Sequence, residues 1–171
     1  MSIYLRPVTL NDGSYIVKWR NTPSVMAHCL NQKLITIESN ENFYHDNIET
    51  GNYLQYIVEL EDLDNKDKKY PIATCYLKDI DRTNKRCELC VFTSDDQKWN
   101  TENQAEAVRI LLEKAFNELG MHKVYSYIFY KFLDEAELLR KAGFEIEAVL
   151  KNEALGCEGN YEDVIRFSII K

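Results

Sequence analysis

The sequence has no run of about eighteen apolar residues, the length that a membrane-spanning helix needs, so it predicts no such span. It also lacks a basic excess: 21 Lys and Arg stand against 28 Asp and Glu, a formal net charge of −7. Nucleic-acid phosphates demand a basic surface, so this balance argues against nucleic acid and leans mildly towards a cationic or amine-bearing partner. Met1 to Thr9 has neither a charged start nor an apolar stretch after it, and the expectation is a chain with no secretory leader. Five cysteines, Cys29, Cys75, Cys87, Cys90 and Cys157, are an odd number, which reads as reduced thiols in the cytoplasm rather than a disulfide framework. No second Cys or His pair stands at a ligand spacing beside Cys87 and Cys90. Residues three apart on a strand also face opposite sides, so no metal site is expected.

What is present is enough for one core. With 171 residues and 45% apolar content, the chain reads as a single domain over 1–171. Ile3, Leu5 and Val8 form an opening strand, ended by Asn11, Asp12 and Gly13. Two short helices follow, broken at Thr22 and Pro23, and a third is capped at Thr36 and stopped by Gly51. Tyr53 to Glu59 and Ile72 to Leu77 alternate apolar and polar as strands do, with a solvated loop, Glu61 to Lys69, between them. Cys87 to Phe92 is a further strand, and a helix runs from about Asn103 to Leu119. Val124 to Tyr130 reads as a buried strand, Asp134 to Ala142 as a helix, and Phe144 to Leu150 and Val164 to Ile170 as a closing pair. Hairpins mixed with helical crossovers imply an α/β fold whose sheet is of mixed, mostly antiparallel direction.

The most informative stretch runs from Gln97 to Ala115. A strand end leads into Trp99, Asn100, Thr101, Glu102, Asn103 and Gln104, and then into apolar residues at helical spacing. The first turn of a helix leaves amide N–H groups unpaired at a positive dipole end, which makes such turns phosphate sites. Leu5-Arg6-Pro7, Asp12, Trp19-Arg20-Asn21, Ile72-Ala73-Thr74, Asn84 to Leu89, Glu118 to Val124, Arg140 to Phe144 and Gly159 to Val164 stand in an order and spacing that resemble the GCN5-related N-acetyltransferases (GNAT). The likeness covers almost the whole chain. It is strongest to the branch with ribosomal-protein, spermidine and sugar-nucleotide acetyltransferases.

The resemblance implies a GNAT-like fold with acetyl-CoA as the acyl donor. Its diphosphate would lie on the turn formed by Lys98, Asn100, Thr101, Glu102, Asn103 and Gln104, and its pantetheine arm along Val91, Phe92 and Thr93. The family's turn is glycine-rich, whereas here Asn100, Glu102 and Gln104 occupy the glycine positions. Asparagine tolerates left-handed backbone, so Asn100 and Asn103 are expected to keep part of the turn. Glu102 brings a carboxylate towards a diphosphate, with Lys98 or solvent to offset it.

Transfer from a thioester to an amine needs an acceptor for the amine's proton. The resemblance places Glu88 in that role, against a plainer reading as an exposed strand residue or one paired with Arg86 or Lys85. Trp19, Arg20, Asn21, Tyr130 and Asp134, with Glu135, are expected around the acceptor. The plainer readings make Trp19 core and Asp134 an N-cap. The tyrosine that many members use as general acid aligns with Leu139, and a site-ordering asparagine aligns with Phe132. Two functions follow from these residues. One is acetyl transfer to a primary amine, borne by a polyamine, an amino sugar nucleotide or a protein N-terminus. The other is a binding or regulatory module that has lost its use of acetyl-CoA. A homodimer is a family-based expectation.

Overall fold

Seven strands form one sheet in the order β1-β2-β3-β4-β5-β7-β6. The computed structural model describes residues 2–62, 65, 68–91 and 93–171. The strands are β1 (Ile3–Pro7), β2 (Leu54–Glu61), β3 (Lys69–Asp81), β4 (Arg86–Cys90), β5 (Lys123–Phe129), β6 (Glu145–Leu155) and β7 (Tyr161–Ile170). The helices are α1 (Gly13–Arg20), α2 (Pro23–His28), α3 (Ile37–Phe43), α4 (Thr101–Glu113) and α5 (Leu133–Lys141). Every strand pair is antiparallel except β4 with β5, so the mixed, mostly antiparallel sheet is as expected.

Alternation along the strands divides the core in two. Cys75 and Leu77 on β3, Cys87, Leu89 and Val91 at β4, and Val124 and Ile128 on β5 share one core with Val108 and Leu111 of α4 and Leu138 and Leu139 of α5. On the other face, Ile57 of β2 packs with Val8, Ile16 and Trp19 beneath α1. The intervening strand residues Tyr76, Lys78, Glu88, Cys90 and Tyr125 open onto that second face.

Local chemistry sets the helix ends. Thr36 Oγ1 accepts from Ser39 N at 3.1 Å, and Ser39 Oγ accepts from Thr36 N at 2.8 Å, a reciprocal cap at the expected place. Pro23 opens α2 at a position whose N–H would have no helical partner. Helix α5 starts one residue earlier than expected, and Phe132 occupies its N-cap. Asp134 therefore lies inside the first turn and is not the cap. The closing hairpin is longer than its apolar pattern suggested, because β6 runs on to Leu155 and β7 starts at Tyr161, with Ala154 paired to Glu162 and Leu155 to Tyr161. Most of the expected Glu61 to Lys69 loop joins β2 to β3, but residues 63, 64, 66 and 67 lie outside the described set. Among the described residues no helix is long and apolar enough to cross a membrane.

Candidate active site

The parallel pairing of β4 with β5 covers only Arg86↔Lys123, Cys87↔Val124 and Glu88↔Tyr125. Both strands continue beyond it, β4 to Cys90 and β5 to Phe129, so their C-terminal ends part and leave main-chain edges unpaired. Ser126 Oγ, itself buried, donates to Leu89 O at 2.8 Å and ties the two strands at the root of the gap.

Glu88 stands at this root on the second face of the sheet and is 4% exposed. Lys78 Nζ lies 3.2 Å from its Oε1, and Cys90 Sγ donates to the same oxygen at 3.4 Å. Burial pushes the Glu88 carboxyl above its ordinary pKa, and the Lys78 ammonium opposes that rise. Both plainer expectations for Glu88 are thus corrected. It is buried, and its partner is Lys78, while Arg86 pairs with Asp81 at 3.2 Å. A surface cavity of about 500 Å³ lies alongside, lined by Tyr53, Asp79 and Tyr125 among others. Cys87 faces the opposite core, so Cys87 and Cys90 diverge as expected of residues three apart on a strand.

Beyond β4 the chain is fixed by side chains. Thr93 Oγ1 donates to Thr74 O, and Ser94 Oγ donates to Ile72 O at 2.6 Å. Trp99, 5% exposed, donates from Nε1 to Val91 O at 3.0 Å. Asn100 Oδ1 caps Asn103 N at 3.0 Å, Asn103 Nδ2 donates to Lys98 O at 2.7 Å, and Gln104 Nε2 donates to Trp99 O at 2.9 Å. Asn100 has φ −84°, and no residue described between Thr93 and Gln104 has positive φ. The asparagines therefore hold the turn through their side-chain amides and not by adopting left-handed backbone. A turn with negative φ throughout does not require glycine. Among the described residues, the N–H groups of Asn100, Thr101 and Glu102 meet no acceptor. With the parted strand edges, they give a diphosphate and an extended amide-bearing arm groups to bind. The residues present thus fit acetyl-CoA.

Glu102 and Lys98 are both exposed and form no ion pair with each other. Glu102 borders a second cavity of about 710 Å³ between α4 and α5, together with Arg109 and Lys141. Phe92 lies outside the described residues.

The residues expected around the acceptor have differing local surroundings. Trp19 is a core residue at 3% exposure. Asn21 clamps the segment after α2, donating from Nδ2 to Ile35 O at 2.7 Å and accepting from Ile35 N at 2.9 Å. Arg20 Nη2 donates to Asn31 O. Tyr130 and Asp134 are exposed at the start of α5. Glu135, largely buried, pairs with His28, whose ring stacks on Phe132 at 3.7 Å between centroids. Leu139, in the place of the family tyrosine, is fully buried in the core. Sequence reasoning missed Lys78, His28, Tyr53, Tyr125 and Ser126, none of which falls in a motif.

The acetyltransferase (GNAT) domain family matches residues 2–145. The fold is similar to that of the spermidine N-acetyltransferase from Vibrio cholerae, crystallised with CoA and spermine. The TM-score is 0.86 at 21% identity, over 98% of this chain and 95% of that one. A chimera of that enzyme, SpeG, with hSSAT superposes at TM-score 0.82 and 20% identity, over 99% and 96% of the two chains. No curated protein sequence matches this chain. The family match spans most of the chain and agrees with the parted strands and the turn at α4: the chain belongs to the GNAT acetyltransferase family, whose acyl donor is acetyl-CoA.

Proposed function

We propose that this protein transfers an acetyl group from acetyl-CoA to a small-molecule primary amine by direct attack, with Glu88 as the proton acceptor. The observation that carries the reading is Glu88 itself: a buried carboxylate at the point where β4 and β5 part, on the face that opens towards α1 to α3. Bound acetyl-CoA supplies a thioester carbonyl carbon, at which a C–N bond forms as the C–S bond breaks and the CoA thiol leaves. The protein has to hold and deprotonate the amine. An ammonium nitrogen has no free lone pair, so Glu88 takes one of its protons before attack, and the second proton lost from that nitrogen as the adduct collapses goes to the departing thiolate. A carboxyl whose pKa is raised by burial is a better match to that task than an exposed one.

On the donor side, the N–H groups of Asn100, Thr101 and Glu102 bind the diphosphate, with the N-terminal dipole of α4 behind them. The unpaired edge at Val91 and Thr93 aligns the pantetheine arm, and Trp99, bonded to Val91 O, keeps that edge in place. On the acceptor side, the spermine bound by the Vibrio enzyme and this chain's excess of acidic residues favour an amine with cationic character.

The test is release of CoA thiol from acetyl-CoA in the presence of a panel of polyamines, amino sugar nucleotides and peptide N-termini. The wild-type protein should acetylate at least one class. Glu88→Gln should lower kcat by about 10²-fold or more, the range for loss of a general base, with acetyl-CoA binding retained. Transfer at the wild-type rate by Glu88→Gln would remove Glu88 from the reaction.

A further inference from the structure

The hairpin joining β3 to β4 is out of simple register, and the irregularity bears on Glu88. Counting back from the Asp81↔Arg86 pair would set Asp79 opposite Glu88, two carboxylates facing across the sheet. Instead a one-residue bulge lies between Lys78 and Asp81, and Asp79 takes φ 49° within it. A one-residue shift moves every side chain to the other face, and bulges re-aim side chains beside functional sites. The result is that Lys78 stands directly opposite Glu88, with its ammonium 3.2 Å from the carboxylate.

We infer that Lys78 is a positioning residue for the transfer: held opposite Glu88 by the bulge, it keeps that carboxylate ionised and aimed into the gap so that it can take a proton. The inference rests on Glu88 acting as the base. Lys78 does not itself touch the reacting atoms.

The surroundings of Glu88 leave this task to Lys78. Among the described residues, the titratable groups near it are Lys78 and Asp79 on β3, Cys90 on β4 and Tyr125 on β5. Tyr53 faces Lys78 from before β2, and Tyr76 pairs with Cys90. Asp79 raises the carboxyl further. Burial pushes the Cys90 thiol and the Tyr53 and Tyr125 phenols up as well, and the Tyr76 phenol also lies well above its ordinary value, so they stay protonated and supply no positive charge. Lys78 is the cation in contact with Glu88; Arg166 of β7 lies over the Tyr125 ring, 4.2 Å from its centroid, and is paired with Glu147 at 2.9 Å. Burial would lower the Lys78 pKa, but the Glu88 carboxylate beside it holds it above the ordinary lysine value, so it remains charged.

The test is a ¹³C NMR titration of the Glu88 carboxyl in wild type, Lys78→Met and Lys78→Arg, with no acetyl-CoA or amine present, alongside kcat against pH. Without Lys78 the burial effect is uncompensated. The Glu88 midpoint in Lys78→Met should rise by about one pH unit or more, the scale of an adjacent opposite charge. The acid limb of kcat should move up with it while the high-pH plateau is kept. Lys78→Arg, which retains the charge, should bring both back near wild type; Lys78→Gln replaces the methionine variant if that does not fold. A Glu88 midpoint that stays put in a folded Lys78→Met protein overturns the inference, as does uniform loss of activity at every pH with no rescue by arginine. If the midpoint shifts as expected but Glu88→Gln keeps full kcat, the assignment of Glu88 as base fails, and the pair's role in transfer fails with it.

Discussion

Replacing Glu102 by glutamine should tighten binding of CoA, and the structure sets how far. Glu102 is the second residue of α4, beside the N–H groups assigned to the diphosphate, and its side chain is exposed. Exposure calls for a dielectric near that of water. Two unit charges about 6 Å apart then repel by about 0.7 kcal/mol, and a diphosphate with two charges roughly doubles this. At physiological ionic strength, with a screening length of about 8 Å, roughly half survives. The gain is then about 0.5–1 kcal/mol, a two- to five-fold fall in Kd. Glutamine is preferred to glycine because this helical position has no need of positive φ. Calorimetric titration with CoA at low and at high salt measures it. The advantage of Glu102→Gln should be largest at low salt and shrink as salt rises. An unchanged Kd at low salt would refute the placement of the diphosphate on this turn.

Trp99→Phe keeps an aromatic ring, smaller than indole, and leaves Val91 O buried without its donor. It should cost about 1–3 kcal/mol in urea denaturation and also weaken acetyl-CoA binding; a stability loss below a few tenths would contradict the bond's role. Burial alone would raise the Asp12 carboxyl, but the Arg6 guanidinium and the Thr9 N–H and hydroxyl outweigh it and hold the carboxyl below its ordinary range. A depressed folded-state pKa contributes stability that is fully present above the unfolded value of about 4 and lost as pH falls through the folded one. Asp12→Asn should therefore cost on the order of 1–2 kcal/mol at pH 7, discounted for the part-exposed guanidinium, and lose that penalty in strong acid. A penalty independent of pH would show that the charge is not what matters.

The fold was legible because strand and helix periods, the Thr36 cap and the Pro23 break each declare themselves locally. The site was legible only where a motif carries it. Glu88 stands out through its place on β4, and the α4 turn through its position between a strand end and a helix start. Lys78 was hidden because its pairing depends on a bulge: simple counting from the hairpin turn assigns Asp79, which has the wrong charge. The role of Asn100 and Asn103 was half visible. Their suitability for a turn could be read from residue type, but closing it with side-chain amides is a tertiary outcome that residue preferences do not encode. Trp19 and Asn21 sit in a recognisable segment, and the structure gives that segment a place in the second core and a clamp on the chain at Ile35, partners that residue type alone does not reveal.

The central claim is that a turn without glycine, closed by Asn100, Asn103 and Gln104, still binds acetyl-CoA. Calorimetric titration of the purified protein with acetyl-CoA and with CoA tests it most directly. The account predicts saturable binding in the micromolar range at one site per chain. Absence of heat and of any spectral or thermal-shift response at millimolar ligand would contradict it.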